Sequence, residues 1–316
     1  MGLKAVLVVD NVARGPAIGG LRMAPDVSTE ECFRLARVMT LKNAAADLPH
    51  GGGKSVIYGD PKMPKNEKEK LIRALASSLR EIQEYIFAPD MGTDEECMAW
   101  VKDEIGGVVG LSSDFGGIPL DEIGATGWGL SHATEVALEY CDFDLEGARV
   151  VVQGFGAVGK HTARFLTEKG AMLVGVADSR GSIYNPRGLD VEALIELKKA
   201  GKSVAEYPDG KKLYRDAVTD IECEIWIPAA RPDVIDENNV NRLKAKLVIE
   251  GANIPITKGA EKYLHEVCRN TRLVLEDAAT KGILPREAAV DLAVDRLKKS
   301  MSYRRWSLFS SAPGFV

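Results

Sequence analysis

Apolar residues along the chain alternate between short unbroken runs and longer stretches that repeat every three to four positions, which predicts strands and helices in turn. The first run, Ala5 to Val9 before Asp10, predicts a strand over residues 4–10. Asn11 to Pro25 reads as a turn-rich loop carrying Arg14 and Arg22. Ser28 with Glu31 three positions on forms a capping pattern, and Phe33, Leu35, Ala36 and Met39 then trace a helix reaching Lys42. A strand over Ser55 to Tyr58 follows Gly51-Gly-Gly-Lys54, and a polar break at Asp60 to Glu67 precedes a helix from Glu69 to about Glu84. Thr93 is placed to head the next helix, through Val101. Ser112 to Gly124 is the best linker candidate, and a helix from Ala125 to Tyr140 follows it. Further strands are predicted at Val150–Val152, Met172–Val176, Cys223–Ile227 and Leu247–Glu250. Pro285 is placed to open a last helix with Val290, Ala293, Val294, Leu297 and Met301 on one face. Strands and helices alternating on both sides of the linker imply an α/β fold in two domains.

One stretch carries a sharper signal. The run Val150-Val-Val152 feeds Gly154-Phe-Gly156-Ala157-Val158-Gly159, then a helical segment from His161 to Lys169, then a second apolar run ending on Asp178. Glycines at those spacings permit a tight turn and close backbone approach, so N–H groups at the helix start can hold a pyrophosphate. Asp178 follows Gly159 by about twenty positions, where a carboxylate can accept from a ribose hydroxyl. The alternative is an ordinary glycine-rich βα turn. The surrounding strand, helix and acid favour a doubly wound, dinucleotide-binding sheet with NAD as its ligand. Ser179-Arg180 would partly offset repulsion of a 2′-phosphate, which keeps NADP as the alternative.

The 316 residues exceed one typical domain, and an apolar fraction of 45% can fill two cores. The formal net charge of −5, without a basic run, argues against nucleic acid as the main partner. The first apolar run is too short for a membrane span and lacks a cleavage pattern, so neither membrane nor export is expected. Five cysteines without metal-ligand spacing suit reduced thiols in the cytoplasm and no metal site.

Candidate chemistry lies in the first third. Lys54 follows three glycines that let backbone crowd its ammonium, and desolvation would bring its pKa toward the range of a working acid or base. The competing reading is a surface lysine after a flexible turn. Lys42 could supply an ammonium for a carboxylate ligand, or could merely snorkel from a helix end. Asp90, after Ile86-Phe-Ala-Pro, could exchange protons in a cleft or could simply shape a turn. His50 reads as local structure. Two lysines and one aspartate suit an anionic α-amino acid as substrate.

Several motifs in fixed order then give a family resemblance. They are Gly15-Pro-Ala-Ile-Gly-Gly-Leu-Arg-Met23, Met39-Thr-Leu-Lys42-Asn-Ala-Ala-Ala46, Gly51-Gly-Gly-Lys54, Ala88-Pro-Asp90-Met-Gly-Thr93 and Ala125-Thr-Gly-Trp-Gly129. Gln153 to Gly159, Ile227-Pro-Ala-Ala230 and Glu250-Gly-Ala-Asn-Ile-Pro255 continue the series. Together they resemble the glutamate/leucine/phenylalanine/valine dehydrogenase family. The resemblance implies an N-terminal substrate domain over 1–118 and a Rossmann domain over 119–284, with catalysis in the cleft between them. Residues 285–316 would form a C-terminal helix packing back on the first domain. It implies Lys54 and Asp90 as catalytic residues, and Lys42, Gly20 and Ile18 at the substrate. Thr126 and Asn253 would sit beside a nicotinamide, with Gly154, Gly156, Ala157, Val158, Gly159 and Asp178 holding the rest of the dinucleotide. The implied activity is reversible NAD(P)-linked oxidative deamination of an L-amino acid to a 2-oxo acid and ammonium by a homo-oligomer.

Three departures are visible. The family's assembly region ahead of Met1 has no counterpart, and no Pro-Asp-x-x-x-Asn-Ala-Gly-Gly-Val segment follows His265. Ile18 stands where glutamate-specific members carry a lysine, which favours an aliphatic side chain, whereas Met23-Ala-Pro-Asp-Val-Ser28 resembles the glutamate branch. The competing expectations are a catalytically impaired dinucleotide-binding member and another two-domain Rossmann oxidoreductase.

Overall fold

Glycine shapes the first sheet. Strands β1 (Ala5–Asn11), β2 (Ala17–Ala24), β3 (Gly51–Tyr58) and β4 (Tyr85–Pro89) stand in the order β1-β3-β2-β4, with β2 parallel to both neighbours and β1 antiparallel to β3. The pattern predicts a loop where β2 lies, and the reason for the difference is steric. A Cβ on Gly19 would come within 1.8 Å of the Gly53 carbonyl oxygen, and one on Gly20 within 2.6 Å of the Asp90 Cβ. The glycines that read as turn formers are therefore close-approach positions inside a buried strand. Likewise Gly51 to Gly53 belong to β3 and not to a turn before it.

Both faces of this sheet are covered. Helix α1 (Thr29–Ala45) takes one face, opened by Ser28, whose Oγ accepts from the Glu31 N–H as the capping pattern predicts. Its polar residues hold the glycine strand directly. Asn43 Nδ2 donates to the Gly51 carbonyl at 2.7 Å, and Thr40 lies where a Cβ on Gly52 would be. On the other face α2 (Lys65–Ser78) and α3 (Glu95–Ile105) bury Ile72, Leu75, Met98 and Val101 against Leu21, Met23, Ile57 and Phe87. The cap of α3 is Asp94, one residue beyond the predicted Thr93, whose hydroxyl is committed elsewhere.

The second sheet has the order β10-β9-β5-β6-β7-β8. Its strands are β5 (Arg149–Gln153), β6 (Met172–Asp178), β7 (Gly181–Tyr184), β8 (Lys211–Leu213), β9 (Cys223–Pro228) and β10 (Ala245–Val248). The four strands β10, β9, β5 and β6 are parallel, while β7 and β8 are an antiparallel extension that the apolar pattern does not announce. The short α4 (Leu120–Ile123) precedes α5 (Ala125–Leu138), α6 (Ala157–Glu168) and α7 (Val191–Lys199). Val150, Val152, Leu173, Ile225 and Ile227 pack on one side with Ala137, Leu166 and Leu194 of α5, α6 and α7. Val151, Val174, Trp226 and Val248 pack on the other. Apolar residues on both faces explain why these strands read as unbroken runs.

The structure, a computed structural model, describes residues 2–257, 260, 278, 280–283 and 285–302. The segment after His265 in which the family motif is expected, and Cys268, lie outside these residues. The chain divides into two units, Met1–Pro119 with Ala289–Val316, and Leu120–Ala288. Helix α8 (Pro285–Ser302) crosses from the second set to the first, and buries Ala293 and Leu297 against Leu41, Ala44 and Ala45 of α1. Met301, expected on that face, is 53% exposed, because the buried stripe ends at Leu297. Among the described residues no helix is long and apolar enough to cross a membrane, no group of three or more potential metal ligands gathers, and no cysteine is in a disulfide.

Candidate functional site

The strand register of the first unit collects the candidate residues. Side chains alternate across a strand, so Ile18, Gly20 and Arg22 share one face of β2. Ile18 pairs with Gly52 and Ile86, Gly20 with Ala88, and Arg22 with Val56, so Lys54 of β3 belongs to the same face. Asp90 lies one residue past β4 and settles over Gly20, in the space a side chain there would take. All of these face the α1 side of the sheet.

There Lys54 Nζ forms an ion pair with Asp90 Oδ2. Lys54 is 2% exposed. Burial lowers its pKa, Asp90 opposes the shift and the nearby Arg22 guanidinium reinforces it. Burial alone would raise the Asp90 pKa, but Lys54 and then Arg22 outweigh it and hold the carboxyl below its ordinary value. The Asp90 backbone is fixed too. Its N–H donates to Thr93 Oγ1 at 3.0 Å, and that hydroxyl donates to the Leu21 carbonyl of β2 at 2.7 Å. Asp90 Oδ1 accepts from the Met91 N–H at 2.6 Å.

Lys42 in the last turn of α1 keeps an exposed surface, yet the protein around it lowers its pKa, with Lys54 adding repulsion and Asp90 opposing. The structure thus brings Lys42, Lys54 and Asp90 into one electrostatic neighbourhood, with Gly20 buried beneath Asp90 and Ile18 half-buried on the same face. His50 lies immediately before β3, with its Nδ1 buried and without a hydrogen-bond partner among the described residues.

Arg22 and Glu31, which the sequence reading places in a loop and a helix cap, also belong to this network. Arg22 is 3% exposed. Its Nη1 is paired with Glu31 Oε1, and its Nε lies 3.5 Å from Asp90 Oδ2. The available signal was the period-two placement of Ile18, Gly20 and Arg22, which is lost when the stretch is read as a loop.

The second unit carries the glycine turn. Gly154 adopts a φ of 99°, and a Cβ there would meet the Ala229 carbonyl oxygen at 2.7 Å. A Cβ on Gly159 would lie 1.8 Å from the Gly154 oxygen, so α6 can start only with glycine at that point. Gly156, the N-cap of α6, instead faces open space with nothing within 4 Å of a Cβ position, and no side chain caps the helix. An uncapped helix start with room before it, flanked by Ala157 and Val158, fits a dinucleotide pyrophosphate. Thr126 is exposed in the first turn of α5, and Asn253 is half-buried in the loop after β10.

Asp178, at the end of β6, is already well partnered. Its oxygens accept from Lys198 Nζ at 2.8 Å, Ser203 Oγ at 2.8 Å, the Arg180 N–H at 2.9 Å and the Val204 N–H at 3.0 Å. Although burial opposes ionisation, these donors bring its pKa down to about 2. A carboxylate offers about four acceptor positions, so a ribose contact requires one of these donors to give way.

Comparison with known proteins adds the lineage. The family model described as Glutamate/Leucine/Phenylalanine/Valine dehydrogenase matches residues 116–282, and the Glu/Leu/Phe/Val dehydrogenase dimerisation domain matches residues 2–106. Glutamate dehydrogenases of Aeropyrum pernix and Thermotoga maritima are each 41% identical, over 80% and 81% of this chain. The chain spans 64% and 65% of those relatives' lengths. Among solved structures, the hetero-hexameric glutamate dehydrogenase of Thermus thermophilus in its Leu-bound form superposes with a TM-score of 0.89 at 30% identity, covering 97% of this chain and 86% of that one.

Proposed function

The chain belongs to the glutamate/leucine/phenylalanine/valine dehydrogenase family, and from that premise we propose that it is an NAD(P)-dependent L-amino-acid dehydrogenase. It interconverts an amino acid with its 2-oxo acid and ammonium. The observation that carries this reading is the buried Lys54–Asp90 pair with Lys42 beside it. Oxidative deamination needs an anchor for the α-carboxylate, a group to take the proton from the α-ammonium, and a base for the water that attacks the imine carbon. Lys42, Asp90 and Lys54 supply these in that order. Asp90 can take a proton from the substrate and return it when ammonia leaves, while Lys54, its ammonium form disfavoured by burial, can accept one from water.

A dinucleotide bound at the Gly154–Gly159 turn would accept the hydride from the α-carbon. Ala157, Val158 and the three glycines would hold its pyrophosphate, with Thr126 and Asn253 beside the nicotinamide. Since Lys198 compensates the charge of Asp178, both NAD and NADP are expected to serve. Glutamate is the substrate suggested by the curated relatives. The half-buried, apolar Ile18 favours an aliphatic side chain as the second reading. The protein would act as a homo-oligomer in the cytoplasm.

The test is a spectrophotometric screen for NADH and NADPH formation across the L-amino acids, with the reverse reaction run with and without ammonium. Ammonium-dependent turnover of glutamate or of leucine and valine supports the reading and selects between the substrates. Reduction of oxo acids without ammonium, or dinucleotide binding with no turnover, would reject it.

A further inference from the structure

Arg22 is a buried cation whose commitments are divided. Its Nη1 is paired with Glu31, while its Nε lies 3.5 Å from Asp90 Oδ2 and has no hydrogen-bond partner. Glu31 is itself fixed, because its backbone N–H is the group that Ser28 caps at the start of α1. A guanidinium with only 4% of its side chain exposed is costly to desolvate, and one carboxylate at Glu31 would suffice if structure were its sole purpose. Instead it faces a second carboxylate already bound to Lys54. We propose that Arg22, clamped by Glu31, is the positioning residue that orients the Asp90 carboxylate and divides its charge between Arg22 and Lys54.

The argument follows from the placement of charge. Arg22 on β2 and Lys54 on β3 compete for the same Asp90 oxygen, Oδ2. Arg22 therefore weakens the hold of Asp90 on the Lys54 proton and repels the ammonium as well. The other groups that face Lys54 are Cys32 and Lys42 of α1, while Tyr85 of β4 lies on the opposite face of the sheet, bonded to Ser55 and Gly19, and feels only the charge of Asp90. Cys32 and Tyr85 are pushed up by burial and stay neutral, so Arg22 and Lys42 are the cations that set the balance of the pair. Glu31 tunes Arg22 from the far side. Removing Arg22 would leave Asp90 wholly to Lys54 and strengthen its ammonium form. Removing the Glu31 charge would free Arg22 toward Asp90 and weaken it.

This assignment rests on the catalytic reading of Lys54 and Asp90, but its test need not depend on turnover. The protein labelled with 13C at the lysine Cε reports Lys54 protonation by chemical shift, with the resonance assigned by its absence in Lys54→Arg. In Arg22→Met the Lys54 midpoint is expected to rise by about one unit or more. In Glu31→Gln it is expected to fall. Arg22→Lys keeps the charge without the fork and should hold the midpoint near wild type, while kcat drops about 10²-fold through misplacement of Asp90. Opposite shifts in the two charge variants are not produced by a merely structural role. An unmoved midpoint in Arg22→Met, or shifts of the same sign in both variants, would overturn the proposal. Glu31→Gln keeps it testable if Arg22→Met fails to fold, since an unmoved midpoint there also counts against it. Opposite shifts in a protein that deaminates no amino acid would uphold the role of Arg22 and reject the proposed function. Normal turnover with unmoved midpoints would do the reverse.

Discussion

At the scale of single residues, Gly20 matters for what it lacks. Asp90 occupies the space above it, and a methyl group there would lie 2.6 Å from the Asp90 Cβ and 3.0 Å from the Pro89 carbonyl oxygen. Gly20→Ala should therefore displace the carboxylate from Lys54 and cut kcat by about 10²-fold. Stability should fall by only about 1–3 kcal/mol, as for an overpacked core position. Steady-state kinetics alongside urea unfolding check this, and full activity in that variant would show that Asp90 need not sit where it does. Lys54→Met removes the proposed base, and a loss of about 10²–10⁴-fold in kcat is expected with dinucleotide affinity unchanged. With Lys54 as the proposed base, turnover should rise as it loses its proton, and the midpoint of that rise should lie below the ordinary lysine value of 10.5 because burial lowers the Lys54 pKa. A rate that is flat with pH up to 10.5 would remove Lys54 from the chemistry. Lys54 and Asp90 could be singled out from sequence by their glycine and proline neighbours. Arg22 could be singled out only by reading Ile18, Gly20 and Arg22 as alternate positions of a strand, because the strand register is what turns this charged residue inward.

At the scale of elements, the legible parts were those whose apolar pattern is set by one local rule. The Ser28 cap, the buried run Val150 to Val152 and the turn Gly154 to Gly159 all follow from short-range chemistry. β2 was not legible, because its glycines answer to distant atoms such as Gly53 and Asp90. The hairpin of β6 with β7 and β8 was missed for a similar reason. It is held at Asp178, which ties the end of β6 to Lys198 on α7 and to Ser203 and Val204 beyond it. The same bonds make a pH prediction. Asp178 has a folded pKa of about 2 against an ordinary 3.8, so its contribution is complete above 3.8 and is lost as the pH falls toward about 2. The shift corresponds to about 2 kcal/mol. Urea unfolding followed through that window should show this loss in the wild type and not in Asp178→Asn, which lacks it at every pH. Parallel curves for the two proteins would mean that the donors around Asp178 contribute no net stability.

At the scale of the molecule, chain order and unit membership do not coincide. The N-terminal unit is completed by residues from the opposite end of the chain, since α8 supplies Ala293 and Leu297 to the end of α1. Arg296 adds a polar lock, with Nη1 donating at the end of α1 to the Ala45 carbonyl at 2.6 Å and to the Ala44 carbonyl at 3.1 Å, the latter shared with the Asp47 N–H. A cation at a helix C-terminus also meets the negative end of the helix dipole. Lys42, the proposed carboxylate anchor, lies two residues before Ala44, so α8 steadies the turn that carries it. Leu297→Ala should destabilise this unit by about 2 kcal/mol, the low end for a buried leucine because the cluster around it is small. Arg296→Ala should remove about 1 kcal/mol by the loss of its part-buried hydrogen bonds to the end of α1. Both variants should raise the amino-acid KM through the loosened Lys42 while NADH affinity, read by fluorescence, stays at the wild-type value. The contrast between the two readouts is what discriminates. A matching loss of NADH affinity would show that α8 supports the dinucleotide site as well, and an unchanged KM would separate the packing of α8 from the anchoring of substrate.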